Sequence, residues 1–236
     1  MLIPHNVSPS WNDFLTDEVK ELLNHIENEI GDNYTPQKEN ILRFLSVDLD
    51  KMKVCLVGQD VYYQPGIATG RSFEVNGLTS WHTSFPQTSL RNILRLIYKS
   101  YNGITSYNDI KKFKEILSEI ENGRFQILPP DELFVSLEEQ GVLFLNTYLT
   151  CEIGKAKSHR HIWEAFAVVL FEYISMRRPE LYWFLWGTEA QSQKEHIKNG
   201  ILYECRHPMM CSGTYSDDFL KSECIKDTMH IINWLG

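Results

Sequence analysis

The chain has 236 residues, 43% of them hydrophobic, a length and composition that are ordinary for one α/β domain with a sizeable core. Its 23 basic and 31 acidic residues give a formal net charge of −8, which argues against a general electrostatic attraction to nucleic acid but not against a local basic site. No apolar run reaches the roughly 18 residues of a membrane span and the first residues lack the pattern of a signal peptide, so we expect a soluble, cytoplasmic (intracellular) protein without membrane contact.

Four apolar segments have the length and composition of β-strands, and helical patterns lie between them. The predicted strands are residues 53–57, 142–145, 181–185 and 201–204. Apolar stripes with helical spacing run over 90–98, with Thr88 or Ser89 as the N-cap, and over 162–173, and further helices are predicted over 190–199 and from about 217 to 234. The five cysteines include no C-x-x-C pair, so neither a disulfide framework nor a zinc site is predicted.

The alternation of strands and helices predicts the fold class α/β, with a central four-stranded parallel sheet flanked by helices. We expect residues 1–236 to form a single domain, with a peripheral insertion at 106–130 where the sequence is charged and ends in two prolines. The carboxyl ends of parallel strands meet at one crevice, so the loops that follow the four strands are the candidate site.

The loop after the first predicted strand carries the most polar chemistry. It holds Gln59, Asp60, Tyr62 and Tyr63, and a carboxylate beside two phenols is costly at the end of a buried strand unless the groups are used. The alternative is an ordinary β-to-α loop that needs glycine for its turn. The loop alone does not decide between the two.

Several stretches, taken in chain order, resemble one protein family. Residues 58–63 (GQDVYY) stand where that family has G-Q-D-P-Y-H, and 141–150 (GVLFLNTYLT) match its G-V-L-L-L-N-T-x-L-T strand. Ser158-His159, Trp163-Glu164 and 185–191 (LWGTEAQ) follow further family positions, and 207–212 (HPMMCS) resemble its H-P-S-P-L-S intercalation loop. The chain therefore resembles the uracil-DNA glycosylase family, in its uracil-N-glycosylase branch, as a divergent member.

The resemblance implies a three-layer α/β/α fold and a hydrolase of base excision repair. Such a glycosidase flips uracil out of single- or double-stranded DNA, hydrolyses the N-glycosidic bond and leaves an abasic site. It implies no metal and no organic cofactor. We expect a monomer, and the family resemblance also implies that an acidic inhibitor imitating DNA could dock on the same crevice.

The resemblance assigns roles to six residues around the base. Asp60 would act on the water and the developing positive sugar, and His207 would donate to uracil O2, helped by the main-chain amide of Gln59. Asn146 would read the polar edge of uracil, Tyr62 would exclude the methyl group of thymine, and Phe73 would stack on the base. Simpler interpretations remain: a helix-cap aspartate, a structural histidine, a strand-end turn for Asn146, and core packing for both aromatic residues.

A second set of residues is expected to contact the DNA backbone or the space left by the flipped base. These residues are Pro86, Ser89, Gly187, Thr188, Met210, Cys211 and Ser212. Basic residues concentrate at Arg91, Arg95 and Lys99, where a solvated helix face is the simplest interpretation, and again over 155–161.

The chain also departs from the family pattern. Val61 and Tyr63 replace a proline and a histidine in the water loop, and Cys211 aligns with the leucine wedge, so that either Met210 takes over that role or the wedge is weaker. Glu189 and Asp217–Asp218 add negative charge near the expected DNA track. These departures keep open a weakly active or inactive relative that binds DNA as a scaffold. A nucleotide-processing enzyme on a flavodoxin-like sheet is disfavoured, because neither common Gly-rich phosphate loop is present.

Overall fold

The computed structural model describes residues 2–236 and contains the predicted parallel sheet. Its strands are β1 (Tyr34–Thr35), β2 (Val54–Asp60), β3 (Val142–Tyr148), β4 (Cys151–Glu152), β5 (Tyr182–Trp186) and β6 (Ile201–Cys205). Strands β3, β2, β5 and β6 form a four-stranded sheet in that order, and every neighbouring pair in it is parallel. Strands β1 and β4 form a separate antiparallel pair.

Eight α-helices accompany the strands over residues 2–236. They are α1 (Asp17–Glu29), α2 (Lys38–Ile41), α3 (Thr88–Tyr101), α4 (Phe113–Glu121), α5 (Pro130–Gln140), α6 (Arg160–Arg177), α7 (Thr188–Ser192) and α8 (Cys224–Thr228). Within this described part of the chain, no helix combines the length and the hydropathy that crossing a bilayer requires.

Alternating side chains of the sheet build two cores, one on each face. Leu56, Phe144 and Phe184 pack with apolar residues of α3, α5 and α8 on one face. Val57 and Leu145, whose side chains point the other way, pack with residues of α1 and α6. Strands β2, β3 and β5 are largely buried on both faces, which explains why they read as continuous apolar runs, whereas the edge strand β6 is partly exposed. The three-layer α/β/α prediction is confirmed.

Some predicted elements differ from the structure near the carboxyl terminus. The helix predicted over 190–199 is only α7 followed by a 3₁₀ turn at Gln193–His196, because the backbone becomes extended at Ile197. The long final helix is also wrong: a 3₁₀ turn at Phe219–Lys221 precedes the short α8. The side chain of Asp218 caps that turn by accepting the N–H of Leu220 at 2.9 Å, so local side-chain bonding replaces a continuous helix.

Two further expectations concern α3 and the segment 106–130. The N-cap of α3 is Gln87, which makes no side-chain cap bond, so neither Thr88 nor Ser89 has the predicted role. Within 106–130, Ile116 and Phe125 are buried in the core that α3 helps to form. That the segment is an insertion stays a prediction.

Candidate active site

A pocket of about 220 Å³ opens at the carboxyl ends of the parallel strands. Its walls include Gln59 and Asp60 at the end of β2, Asn146 of β3, and His207 just after β6. Tyr62, Phe73 and Ser89 complete the set of predicted site residues that line it. Residues from distant parts of the chain thus meet because parallel strands end at the same edge of the sheet.

The register of β2 and β3 places Asn146 beside Gly58, and the two approach very closely. A Cβ on Gly58 would lie 2.4 Å from Asn146 Oδ1 and 2.9 Å from the Cβ of Ser72. Glycine is therefore required for this packing, rather than for a special backbone angle. Asn146 is only 4% exposed, yet among residues 2–236 no group hydrogen-bonds its side chain. Its donor and acceptor are free to bind a ligand.

The carboxylate of Asp60 is held by two backbone amides. The N–H of Val61 donates to Oδ1 at 3.0 Å, and the N–H of Lys157 donates to Oδ2 at 2.5 Å. Burial disfavours the charged form and raises the pKa of Asp60 to about 6, while the two amides and the charge of Lys157 act in the opposite direction. The result is an oriented carboxylate that ionises close to neutral pH, which suits general-base work.

Two aromatic residues shape the pocket wall. The hydroxyl of Tyr62 donates to the carbonyl of Phe73 at 3.3 Å, which fixes the Tyr62 ring against the neighbouring backbone. Phe73 is 9% exposed and packs on Trp186, with ring centroids 5.6 Å apart. Its φ is +65°, which is rare for a bulky residue and is a form of backbone strain found at functional sites.

His207 is oriented as a neutral donor. Its Nδ1 accepts the N–H of Met209 at 3.2 Å, so the ring proton is assigned to Nε2. Burial, with a smaller contribution from the charge of Lys157, lowers the pKa of His207 and favours the neutral ring. The backbone at Gly187, where φ is +97°, packs directly against His207. A Cβ on this residue would lie 2.9 Å from the Cβ of His207.

The other residues predicted to contact DNA do not line the pocket, although Pro86 and Met210 lie close in sequence to the lining residues Ser89 and Met209. Pro86 and Thr188 are exposed, immediately before α3 and at the start of α7. Met210 is 55% exposed, whereas Cys211 packs against the core and its Sγ lies 3.2 Å from the carbonyl of Pro208. Of the two candidates for the wedge position, the structure thus exposes Met210. Ser212 is half-buried, and its N–H donates to Asp218 Oδ2 at 2.5 Å.

The negative charge expected near the DNA track is largely compensated. Glu189 lies 3.4 Å from Lys157 Nζ and 3.3 Å from an Arg160 guanidinium nitrogen. Asp217 pairs with Arg206 at 2.9 Å, and Asp218 is buried and occupied in loop bonding. The structure therefore gives no reason to expect that these acidic residues repel DNA as unpaired charges.

The basic residues of α3 are not a solvated face, contrary to the sequence-based interpretation. Arg91 donates to the carbonyl of Phe85 and lies over that ring at 5.2 Å. Arg95 donates to the carbonyl of Lys111 at 2.9 Å, and Lys99 is buried against Glu223 at 2.6 Å. They join α3 to its neighbours because long basic side chains can pack along their stems and bond at their ends.

Three residues of the pocket region were not predicted as site residues. Arg71 and Met209 line the pocket, and Lys157 donates to Asp60 from a separate loop. Arg71 is already paired with Glu74 at 2.9 Å and Glu138 at 2.5 Å, so its role is to support the wall. A backbone N–H leaves no signature in sequence, so only the cluster of basic residues over 155–161 hinted at Lys157.

The fold and the pocket together define an α/β protein with a candidate site at the carboxyl edge of a parallel sheet. No protein-family model matches the chain. A curated relative from Francisella philomiragia, named uracil-DNA glycosylase, is 31% identical over 95% of this chain and 99% of its own length. The chain belongs to the uracil-DNA glycosylase family, as its motifs predict.

Solved structures agree with this fold. The wild-type UNG of Nitratifractor salsuginis is 20% identical, with a TM-score of 0.73 over 98% of this chain and 93% of that one. A mimivirus UNG variant in complex with UGI is likewise 20% identical, with a TM-score of 0.62 over 85% of this chain and 70% of that one. At this identity the likeness concerns the arrangement of strands and helices.

Proposed function

We propose that this chain removes uracil from DNA by hydrolysing the bond between base and deoxyribose, which releases free uracil and leaves an abasic site. The observation that carries the proposal is the meeting of Asp60, Asn146 and His207, from three separate strand ends, in one pocket of about 220 Å³. A base inside a duplex is out of reach of such a pocket, so the nucleotide must leave the stack before the reaction.

Recognition of the base is assigned to Asn146, Tyr62 and Phe73. The unpartnered amide of Asn146 matches the N3 and O4 edge of uracil, whereas cytosine presents the opposite polarity and would leave buried groups unpaired. The ring of Tyr62, held by its hydrogen bond to Phe73, is assigned to exclude the methyl group of thymine. Phe73, held by Trp186, offers a stacking face.

Asp60 is assigned to the water and to the sugar. As the glycosidic bond breaks, positive charge develops on the deoxyribose, and a carboxylate fixed by two amides stabilises it without reorienting. The same carboxylate accepts a proton from the attacking water. Both roles need the ionised form, which predominates above a pKa of about 6.

His207 is assigned to the leaving base. Departing uracil carries negative charge that reaches O2, and a neutral imidazole donating from Nε2 stabilises it as an oxyanion-hole donor does. The backbone amide of Gln59, in the same pocket, is the proposed second donor.

DNA contact is assigned to the rim of the pocket. We propose that Pro86, Ser89, Gly187, Thr188 and Ser212 lie along the phosphate backbone and that Met210, with Cys211 packed beneath it, enters the space left by the flipped nucleotide. The chain acts as a monomer in this proposal, since one chain supplies every wall. The same crevice is the proposed surface for an acidic inhibitor that imitates DNA, because a mimivirus neighbour was crystallised with UGI.

The scaffold alternative is not favoured, because the curated relatives are named as the enzyme. The test is release of free uracil from single- and double-stranded oligonucleotides in the presence of EDTA. Wild type should release uracil from both. His207→Ala should lose about 10²- to 10³-fold in single-turnover rate, as loss of an oxyanion donor does. The matched control is His230→Ala, at an exposed histidine outside the pocket. Binding of uracil-containing DNA without any release by wild type would favour the scaffold.

A further inference from the structure

The loop between β4 and α6 contains an unusual backbone conformation at Lys157. Its φ is +64°, and over residues 2–236 only Phe73 shares a positive φ among the residues other than glycine. A lysine gains nothing locally from this conformation, because its Cβ crowds the backbone there. The surrounding contacts must therefore hold it, and such strain is retained where it serves the site.

The neighbours of Lys157 fix the turn from both sides, and on the preceding side the N–H of Gly154 donates to the carbonyl of Tyr63 at 3.0 Å. Ser158 Oγ accepts the N–H of Glu152 at 2.7 Å, and His159 Nδ1 lies 2.9 Å from Thr150 Oγ1. Trp163 Nε1 donates to the same Thr150 oxygen at 2.7 Å. The loop is thus anchored to the end of β3 and the start of α6, which sets the direction of the N–H groups between the two anchors.

That direction places the N–H of Lys157 on the Asp60 carboxylate, 2.5 Å from Oδ2. Among residues 2–236, the other Asp60 oxygen accepts only the N–H of the adjacent Val61, at 3.0 Å. A carboxylate bonded at both oxygens cannot rotate freely, so the remaining lone pairs are directed by these two amides. Lys157 is the donor that comes from outside the water loop.

The ammonium of Lys157 is held on the same side of the pocket. Its Nζ lies 3.4 Å from Glu189 Oε1, and Glu189 also accepts from Arg160 and from the Tyr148 hydroxyl at 3.4 Å. Lys157 is the one cation among residues 2–236 whose charge lowers the pKa of Asp60, and it also lowers the pKa of His207. The Cys151 thiol, also close to Asp60, has a pKa raised to about 12 and stays neutral.

We propose that Lys157 is a positioning residue for the reaction: its strained backbone N–H orients the Asp60 carboxylate, and its side chain supplies positive charge beside the pocket. The inference deepens the proposed function and rests on it. Tyr63, which stands where the family has a histidine, is 41% exposed, and the donor to Asp60 Oδ2 is the N–H of Lys157 from the neighbouring loop.

The experiment distinguishes the effect of the Lys157 charge from the effect of its backbone conformation. The single-turnover rate of uracil release is measured between pH 5 and 9. In Lys157→Gln, the midpoint of the fall in rate at acid pH (the acid limb) should move upward by up to about one pH unit, which corresponds to a rate about fivefold lower at pH 6. Lys157→Arg restores the charge and should restore the midpoint. Lys157→Val, whose branched side chain disfavours a positive φ, should lose rate at pH 8 as well, while Lys157→Gly keeps more of that rate. The control is Lys155→Gln, at an exposed lysine of the same loop that pairs with Glu152.

A second readout does not need catalysis. Titration of Asp60 by carbon NMR in the intact protein should show a higher midpoint in Lys157→Gln than in wild type, with Lys155→Gln unchanged. An unmoved Asp60 midpoint and acid limb in Lys157→Gln, together with a Lys157→Val variant that keeps the wild-type rate at pH 8, would overturn the role of Lys157 while leaving uracil release intact. Failure of wild type to release uracil, with the Asp60 midpoint still moving, would instead remove the proposed function and with it the catalytic meaning of Lys157.

Discussion

The base pocket and the loop over 207–215 differ in how the protein holds them. In the pocket, Asn146 is fixed by the strand ladder and Asp60 by two backbone amides. The loop has turn bonds such as the N–H of Met210 to the carbonyl of His207 at 2.8 Å, is joined to α3 by Asn92 Nδ2, which donates to the carbonyl of Pro208 at 2.6 Å, and exposes Met209 and Met210. Asp60 and Asn146 are thus held by backbone at the edge of the sheet, whereas the exposed side chains of Met209 and Met210 belong to a loop outside it.

The largest expected loss of rate comes from removing the negative charge of Asp60 in the base pocket. Asp60→Asn keeps the size of the side chain but cannot carry the negative charge, so we expect a loss of about 10²- to 10⁴-fold in the single-turnover rate of uracil release. Binding of uracil-containing DNA should change far less. A rate within tenfold of wild type would show that the carboxylate is not central to the reaction.

A smaller loss is expected from Gly58→Ala. The added methyl group would lie 2.4 Å from Asn146 Oδ1, so the amide must move, and a displacement of this kind can cost about 10²-fold in rate. The measurement is a double-mutant cycle with Asn146→Ala. Gly58→Ala should add little in the Asn146→Ala background, and fully additive losses would mean that the methyl group acts elsewhere.

The pH dependence of wild type should be about tenfold between pH 8 and pH 5. Burial raises the pKa of Asp60 to about 6, so the ionised, active form is present above that pH and is lost as the pH falls through it. Burial lowers the pKa of His207, so its ring protonates only below the usual range of a histidine. A His207→Gln variant should keep the acid limb at a lower rate, and a profile that stays flat down to pH 5 would contradict this assignment.

The smallest effect is expected in the exposed loop, and it should depend on the substrate. Met210→Ala should lower the rate on duplex DNA several-fold and leave single-stranded DNA within about twofold, because only the duplex leaves a hole to fill. Cys211→Ala removes a packed sulfur and should affect the two substrates equally. Equal effects of Met210→Ala on both substrates would place the wedge elsewhere.

The sequence by itself determined which segments form the parallel sheet and which family the chain resembles. Apolar runs that are buried on both faces can be recognised without coordinates, and motifs at strand ends are local, so Asp60, Asn146 and His207 could be identified as a set. Periodicity failed for the segment after residue 217, where side-chain capping by Asp218 interrupts the predicted helix.

Only the tertiary structure decided how charged side chains and backbone amides are distributed around Asp60, Asn146 and His207. Three of these arrangements depend on which elements lie next to each other. Glu189 pairs with Lys157 and Arg160, Arg91 and Arg95 bond to neighbouring backbone, and Cys211 packs against the core. The N–H of Lys157 reaches Asp60 across 97 positions of sequence. Hydrogen bonds and ion pairs act through space over a few ångströms, whereas a sequence motif records only neighbours along the chain.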